Sequence, residues 1–317
     1  MENNSVNKTR AFAVLSRSKL IIITLIVFAI FKVIRPHNFG TAANILSYIQ
    51  QALIPSVAAF GLYYVVVMGL FDFSIGANIV LSGIIGIFLA NSTGYFGFVL
   101  APIIIGTLIG LLNGIIYIKL KIPSIIVTVG LMILYECIGA IISSGKVLTL
   151  PSGMSAFGHA PWNVIALVVG FILTNIILRH TRVGIYSNAI GSNESVARAT
   201  GINVNKYKVI AFMLAGFFTG LNSILTVSYG SAITSATNMS SMSRSFTPLM
   251  GCFFALAFAD VMNPFISIML GELIISMIMN GLITMGIPTT LQNVVIGVTL
   301  ITIILLTTHV DSEAVVK

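Results

Sequence analysis

Apolar runs of about 20 residues, the length of a bilayer-spanning helix, recur from Leu20 to Thr308, and few folds can absorb so many of them. A helix of that length rises about 30 Å, which matches the hydrocarbon thickness of a membrane. A water-soluble domain would have to wrap the same runs in a hydrated shell, for which roughly a quarter of its residues would be charged. This chain has 8%. Closed barrels also satisfy the backbone in lipid, but their strands alternate apolar and polar residues. Stretches such as Ile21-Ile22-Ile23 and Ala101-Pro102-Ile103-Ile104-Ile105 do not alternate. The expected fold is therefore all-α, a polytopic membrane protein with about ten transmembrane helices.

The runs centre on 20–34, 52–70, 75–90, 96–118, 123–142, 162–178, 209–228, 246–259, 265–285 and 290–308. Short cytoplasmic loops are enriched in Lys and Arg, so charge tests the count independently. With both termini inside, the inner face receives Lys8, Arg10, Arg17, Lys19, Lys119, Lys121, Arg179, Arg182, Arg198, Lys206, Lys208 and Lys317, three quarters of the 16 basic residues. Lys32, Arg35, Lys146 and Arg244 fall outside. This divides the chain into a cytoplasmic tail 1–19, a transmembrane domain 20–310 with its main cytoplasmic loop at 179–208, and a cytoplasmic tail 311–317. The basic stretch before the first run looks like a signal peptide, but Arg35-Pro36-His37-Asn38 follows it, not a small-residue cleavage site, so it reads as a retained span.

The net charge of +8 is a topology signal, since the basic residues flank spans and form no nucleic-acid-binding face. Cys137 and Cys252 sit within apolar runs as small hydrophobes, without a disulfide framework. A phosphate-binding loop needs Gly, four residues, then Gly-Lys and a hydroxyl residue. The nearest approach, Gly139 to Gly145-Lys146-Val147, has the wrong spacing and no hydroxyl. His37, His159, His180 and His309 lack the paired spacing of a metal site. No cofactor or metal is expected, and no enzymatic activity on this chain.

The loop 179–208 is the most informative polar segment. Asn193 is suited to cap a helix, Glu194 complements its dipole and Gly201 is suited to end it, which predicts a short helix over 194–200. Ala197 and Gly201, one turn apart, would leave a smooth stripe for another surface. The pattern Gly191-x-Asn193-x-x-x-Ala197-x-x-x-Gly201-Ile202-x-Val204-x-x-x-Lys208 resembles the coupling loop of permease subunits in ATP-binding cassette importers of the ribose-type sugar family. Gly69-Leu-Phe-Asp-Phe-Ser-Ile-Gly76 and Asn280-Gly-Leu-x-x-x-Gly286 extend the resemblance, which covers about 38–311.

The resemblance implies a bacterial plasma-membrane permease that takes a simple sugar or related polar solute from an extracytoplasmic binding protein. It would pair with a second permease subunit, and cytosolic ATPase subunits would dock at Gly191, Asn193, Glu194, Ala197, Gly201 and Ile202. Phe254-Ala-Leu-Ala257 and 260–264 depart from the glycine-rich stretches of such relatives, where glycines let backbones approach closely.

Ionisable groups within spans are costly and mark functional sites by default. Glu136 and Glu272 are such groups, and with Asn280 they are candidates for the translocation path. A packing role, each carboxyl hydrogen-bonded to a neighbouring helix, is the other reading. Asp72 is expected to cap the following helix. The stripe Gly106/Gly110/Gly114 is expected to pack closely against another helix. The acidic pair also leaves open an ion-coupled secondary transporter, which uses broken helices and midplane charges.

Overall fold

The computed structural model describes residues 20–259, 262–288, 291–292, 294–295, 297–299 and 301–302. The tails 1–19 and 311–317, residues 260–261 of the expected junction, and residues 290, 293, 296, 300 and 303–308 of the last run lie outside the described residues. Among the described residues the regular elements are α-helices, one 3-10 turn at Ser155–Gly158 and one short ribbon. In chain order the helices and strands are α1 (Leu20–Ile34), α2 (Ala42–Val66), α3 (Ile75–Thr93), α4 (Tyr95–Leu120) and α5 (Ser124–Ser143). They continue with β1 (Val147–Thr149), α6 (Trp162–His180), α7 (Arg182–Ser192), α8 (Glu194–Ala199), α9 (Val204–Gly230), β2 (Ala232–Thr234), α10 (Met242–Ala257) and α11 (Pro264–Thr284).

Seven of these helices, α2 to α6, α9 and α11, are long and apolar enough to cross a membrane. The expected ten is thus met only in part: α1 is shorter, α10 has 16 residues, and the last run is interrupted by undescribed positions. The second run also begins earlier than its hydropathy suggests, at Ala42. Thr41 starts it, its hydroxyl accepting the Asn44 amide at 3.3 Å, and the polar Ser47, Gln50 and Gln51 had masked its first turns.

Helix α4 lies along α9 at glycine contacts. A Cβ on Gly106 would sit 2.6 Å from the Gly216 carbonyl oxygen, and one on Gly110 would run into the carbonyl of Phe212. Gly216 and Gly220 of α9 meet α4 in the same way, so small residues on both partners let the backbones touch. Around this pair, Phe60, Tyr63 and Tyr64 of α2 pack edge-on or tilted against Phe265 of α11. The Tyr64 hydroxyl, buried among them, donates to the Thr174 carbonyl of α6 at 2.7 Å.

The two ends of the bundle are built differently. At one, β1 and β2 form an antiparallel ribbon with Leu148 opposite Ile233, tying the segment after α5 to the segment after α9. At the other, α2 ends against the loop helices, because Gly191 has no side chain to keep it off the Val67 carbonyl. The expected inner loop and the expected outer loops therefore lie at opposite ends.

Candidate functional site

A cavity of about 370 Å³ opens among α2, α3, α9, α10 and α11. Its walls are apolar, through Ile54, Ile79, Ile275 and Met279, with polar groups from α2, α9, α10 and α11: Gln51, Asn222, Thr226, Arg244, Thr247, Glu272 and Ser276. Most of those groups are already satisfied inside the protein. Asn222 donates to the Ile54 carbonyl at 2.5 Å and accepts from Thr226 at 3.0 Å. Ser276 donates to the Tyr48 carbonyl at 2.9 Å, and Asn280 donates to Gln51 at 2.8 Å.

Glu272 is the exception. It is fully buried, and neither carboxyl oxygen has a hydrogen-bond partner among the described residues. Gly251 makes room for it, since a Cβ there would lie 2.6 Å from Oε1. Arg244, on the α10 face that also carries Thr247 and Pro248, makes no ion pair among the described residues and reaches the same cavity. Charge counting had assigned Arg244 to an outer loop, so its part in the cavity had no signal in the sequence. Of the three path candidates, Glu272 lines the cavity, Asn280 stands behind it holding Gln51, and Glu136 is elsewhere.

Glu136 is buried in α5 and faces the start of α10. Its Oε2 accepts the Met239 amide at 2.9 Å and its Oε1 the Ser241 amide at 2.8 Å. Asp72, ahead of α3, accepts the Ser74 amide at 2.9 Å and the Ser74 hydroxyl at 2.6 Å. Asn113 donates to that hydroxyl at 2.6 Å and accepts from Tyr135 at 2.7 Å. Asp72 thus secures the turn ahead of α3.

The loop forms two helices, α7 and α8. Asn193 caps α8, its side-chain oxygen accepting the Val196 amide at 3.0 Å. At the other end Gly201 adopts φ +86°, the Gly201 amide donates to Arg198 and the Ile202 amide to Ala197, both at 3.1 Å. That pair of bonds is the Schellman ending that a glycine at C′ permits. Ala197 is buried in the protein's own core and Ile202 packs beside it, so the smooth stripe is half internal. The outward surface is Asn193, Ser195, Val196, Arg198 and Gly201; Val196, at 56% exposure, is a protruding apolar group that the pattern had not singled out. Glu194 bridges Lys208 at 2.8 Å and Arg198 at 2.9 Å. Lys208 is buried and also donates to the Tyr117 hydroxyl of α4 at 3.4 Å, so α8 is fastened to both α9 and α4. The hydrogen bond from Lys208, reinforced by Arg198, holds the Glu194 carboxyl below the usual glutamate range.

Residues 44–304 match the family described as branched-chain amino acid transport system / permease component. The chain belongs to this permease family. The permease is 27% identical over 327 aligned positions to the ribose import permease protein RbsC of Escherichia coli K12, covering 99% of both chains. It is 28% identical to RbsC of Bacillus subtilis, over 85% of this chain and 86% of that one. It is also 27% identical to the L-arabinose ABC transporter permease protein AraH of Azospirillum brasilense, over 68% of this chain and 65% of that one. No solved structure matches the permease. Its relatives are ABC permeases, which sets aside the ion-coupled alternative: this is a multi-pass membrane permease subunit of an ABC importer, and it is not itself catalytic.

Proposed function

We propose that the permease carries a small polyhydroxylated solute, a monosaccharide of the pentose or hexose class, through the cavity between α2, α9, α10 and α11. The observation that carries this reading is the carboxyl of Glu272 in the cavity wall, with the Arg244 guanidinium in the same cavity, the first without a hydrogen-bond partner and the second without an ion pair among the described residues. A sugar offers hydroxyl hydrogens to the one and hydroxyl oxygens to the other. A buried polar group left without a partner costs about 1–3 kcal/mol, so a solute that satisfies it has a defined resting place. The sugar names of RbsC, matched over 99% of its length, and of AraH favour the same class.

The remaining parts of the importer follow from the two ends of the bundle. The surface of α7 and α8, through Gly191, Asn193, Glu194, Gly201 and Ile202 with Val196 at its centre, docks a cytosolic ATPase subunit. The ribbon end faces an extracytoplasmic binding protein, and a second permease subunit completes the path. The chain spans the membrane about ten times, with the short α1 and α10 and the last run added to the seven long helices. Both tails are cytoplasmic, which agrees with the basic residues gathered at the loop end.

Uptake by proteoliposomes containing the assembled importer tests the solute class, with radiolabelled D-ribose, L-arabinose and L-leucine as probes. Uptake of the sugars, lowered at least tenfold by Glu272→Gln with normal assembly, is the expected result. Uptake of L-leucine in place of the sugars, its two charged ends matching Arg244 and Glu272, would overturn the sugar assignment.

A further inference from the structure

Helix α10 cannot cross a membrane alone. Its 16 residues rise about 24 Å, against a hydrocarbon layer of about 30 Å. It also starts inside the bundle, beside a residue of α5 seven positions short of that helix's end, roughly 10 Å in at 1.5 Å per residue. The first amides of a helix have no partner within it, and in a bilayer no water replaces one. Ser241, at the N-cap position, makes no side-chain cap bond. The preceding turn holds Asn238 and Met239 at φ +55° and +62°, a left-handed conformation that Asn tolerates and that Met rarely adopts unless its surroundings impose it.

We infer that Glu136 is a positioning residue for the translocation cavity, acting through α10 and not by touching solute. One carboxylate spans the entry to the helix, accepting from Met239 at 2.9 Å and from Ser241 at 2.8 Å. The first turn of α10 is then fixed on its other side, where Ser245 accepts the Gly76 amide and donates to the Phe73 carbonyl, both at 2.9 Å. Gly76 has no room for a Cβ against Ser241, so the two turns are in direct backbone contact. Arg244 and Thr247 lie within two turns of this anchor and face the cavity. Releasing the anchor displaces them while leaving Glu272, on α11, in place.

This inference rests on the cavity being the solute path, so its two primary readouts need no solute. The full-length permease is placed in nanodiscs, with Cys137→Ser and Cys252→Ala to remove native thiols and Thr247→Cys as a reporter. Amide exchange of the segment 236–245 and maleimide labelling at position 247 are compared for Glu136, Glu136→Gln and Glu136→Ala. The Ala variant is expected to exchange at least tenfold faster and to label at a rate changed at least fivefold. The Gln variant, whose single carbonyl oxygen can serve one amide and whose NH₂ opposes the other, is expected to fall between. It also carries the test if the Ala variant does not assemble. Parent-level exchange and labelling in both variants would overturn the inference. So would a loss of D-ribose uptake in assembled importer without change in these solute-free readouts, because that pattern belongs to a direct solute ligand.

Discussion

Breaking the bridge between Glu194 and Lys208 should weaken the transfer of force from α8 to the membrane helices. The two partners are not equally placed. Glu194 is 42% exposed in its side chain, so its own share falls within the range of about 0.2–1 kcal/mol for surface pairs. Lys208 is 8% exposed, and removing its partner leaves a buried ammonium with only Tyr117 at 3.4 Å, at a cost of about 1–3 kcal/mol. We expect Glu194→Gln to destabilise the docked position of α8 by about 1–2 kcal/mol, which is roughly a tenfold change in its occupancy. The assay is solute transported per ATP hydrolysed in assembled importer, expected to fall several-fold while the permease remains in the membrane. Exchanging the charges, Glu194→Lys with Lys208→Glu, should restore part of the ratio, although it leaves Arg198 facing a like charge. Because the Glu194 carboxyl is held below its ordinary value, the bridge is complete above that ordinary value and is lost as pH falls through the depressed one. Its contribution should therefore be flat between about pH 6 and 8, well above the ordinary glutamate pKa. An unchanged coupling ratio in Glu194→Gln, or a ratio that falls between those two pH values through this pair, would refute the reasoning.

Gly110→Val should prevent assembly of the bundle, since the added atoms meet the Phe212 backbone and no side chain can swing away; overpacking of this kind costs about 1–3 kcal/mol or more, read as loss of folded protein in detergent. Gly201→Val should uncouple ATP hydrolysis from uptake, because a β-branched residue is strained at φ +86° and adds bulk to the docking surface; a normal transport ratio would count against that surface. Membrane-impermeant thiol reagents added outside should label Ser152→Cys in the segment after β1 and leave Ser195→Cys in α8 unmodified in intact cells, and labelling of α8 would reverse the orientation.

What could be read from the chain, and what could not, divides on physical lines. The long helices announce themselves because lipid demands an uninterrupted apolar run, and α4, α9 and α11 stand within a turn or two of their expected positions. The caps of α8 were legible for a related reason: Asn193 and Gly201 act on their own neighbours, within four residues. Long-range partners leave no such trace. Nothing local shows that Glu136 reaches the amides of Met239 and Ser241, more than 100 positions away, or that Arg244 turns into a cavity instead of outward. The bulky Phe254, a departure from the glycine-rich stretch of the resembling family, is accommodated in the same long-range way. It packs on Gly271 of α11, where a Cβ would collide with its ring, so the absence of a side chain on the facing helix makes room for it.

Three departures from local rules meet around one place. A carboxyl without a partner, a helix too short to span, and consecutive non-glycine residues with positive φ would each be eliminated in a fold selected for stability alone. Here Glu272 belongs to α11, the short helix α10 faces it across the cavity, and the strained turn at Asn238 and Met239 feeds directly into α10. The α4–α9 pair, in contrast, is packed backbone against backbone, with glycine on at least one partner wherever the two backbones touch. A transporter needs both kinds of construction: a body that keeps its shape in lipid and, on the proposed path, a cavity that keeps a few polar groups free for what passes through. On the proposed path, α10 and α11 are the part of the sequence to vary when the solute is to be changed, and the α4–α9 seam is the part to leave alone.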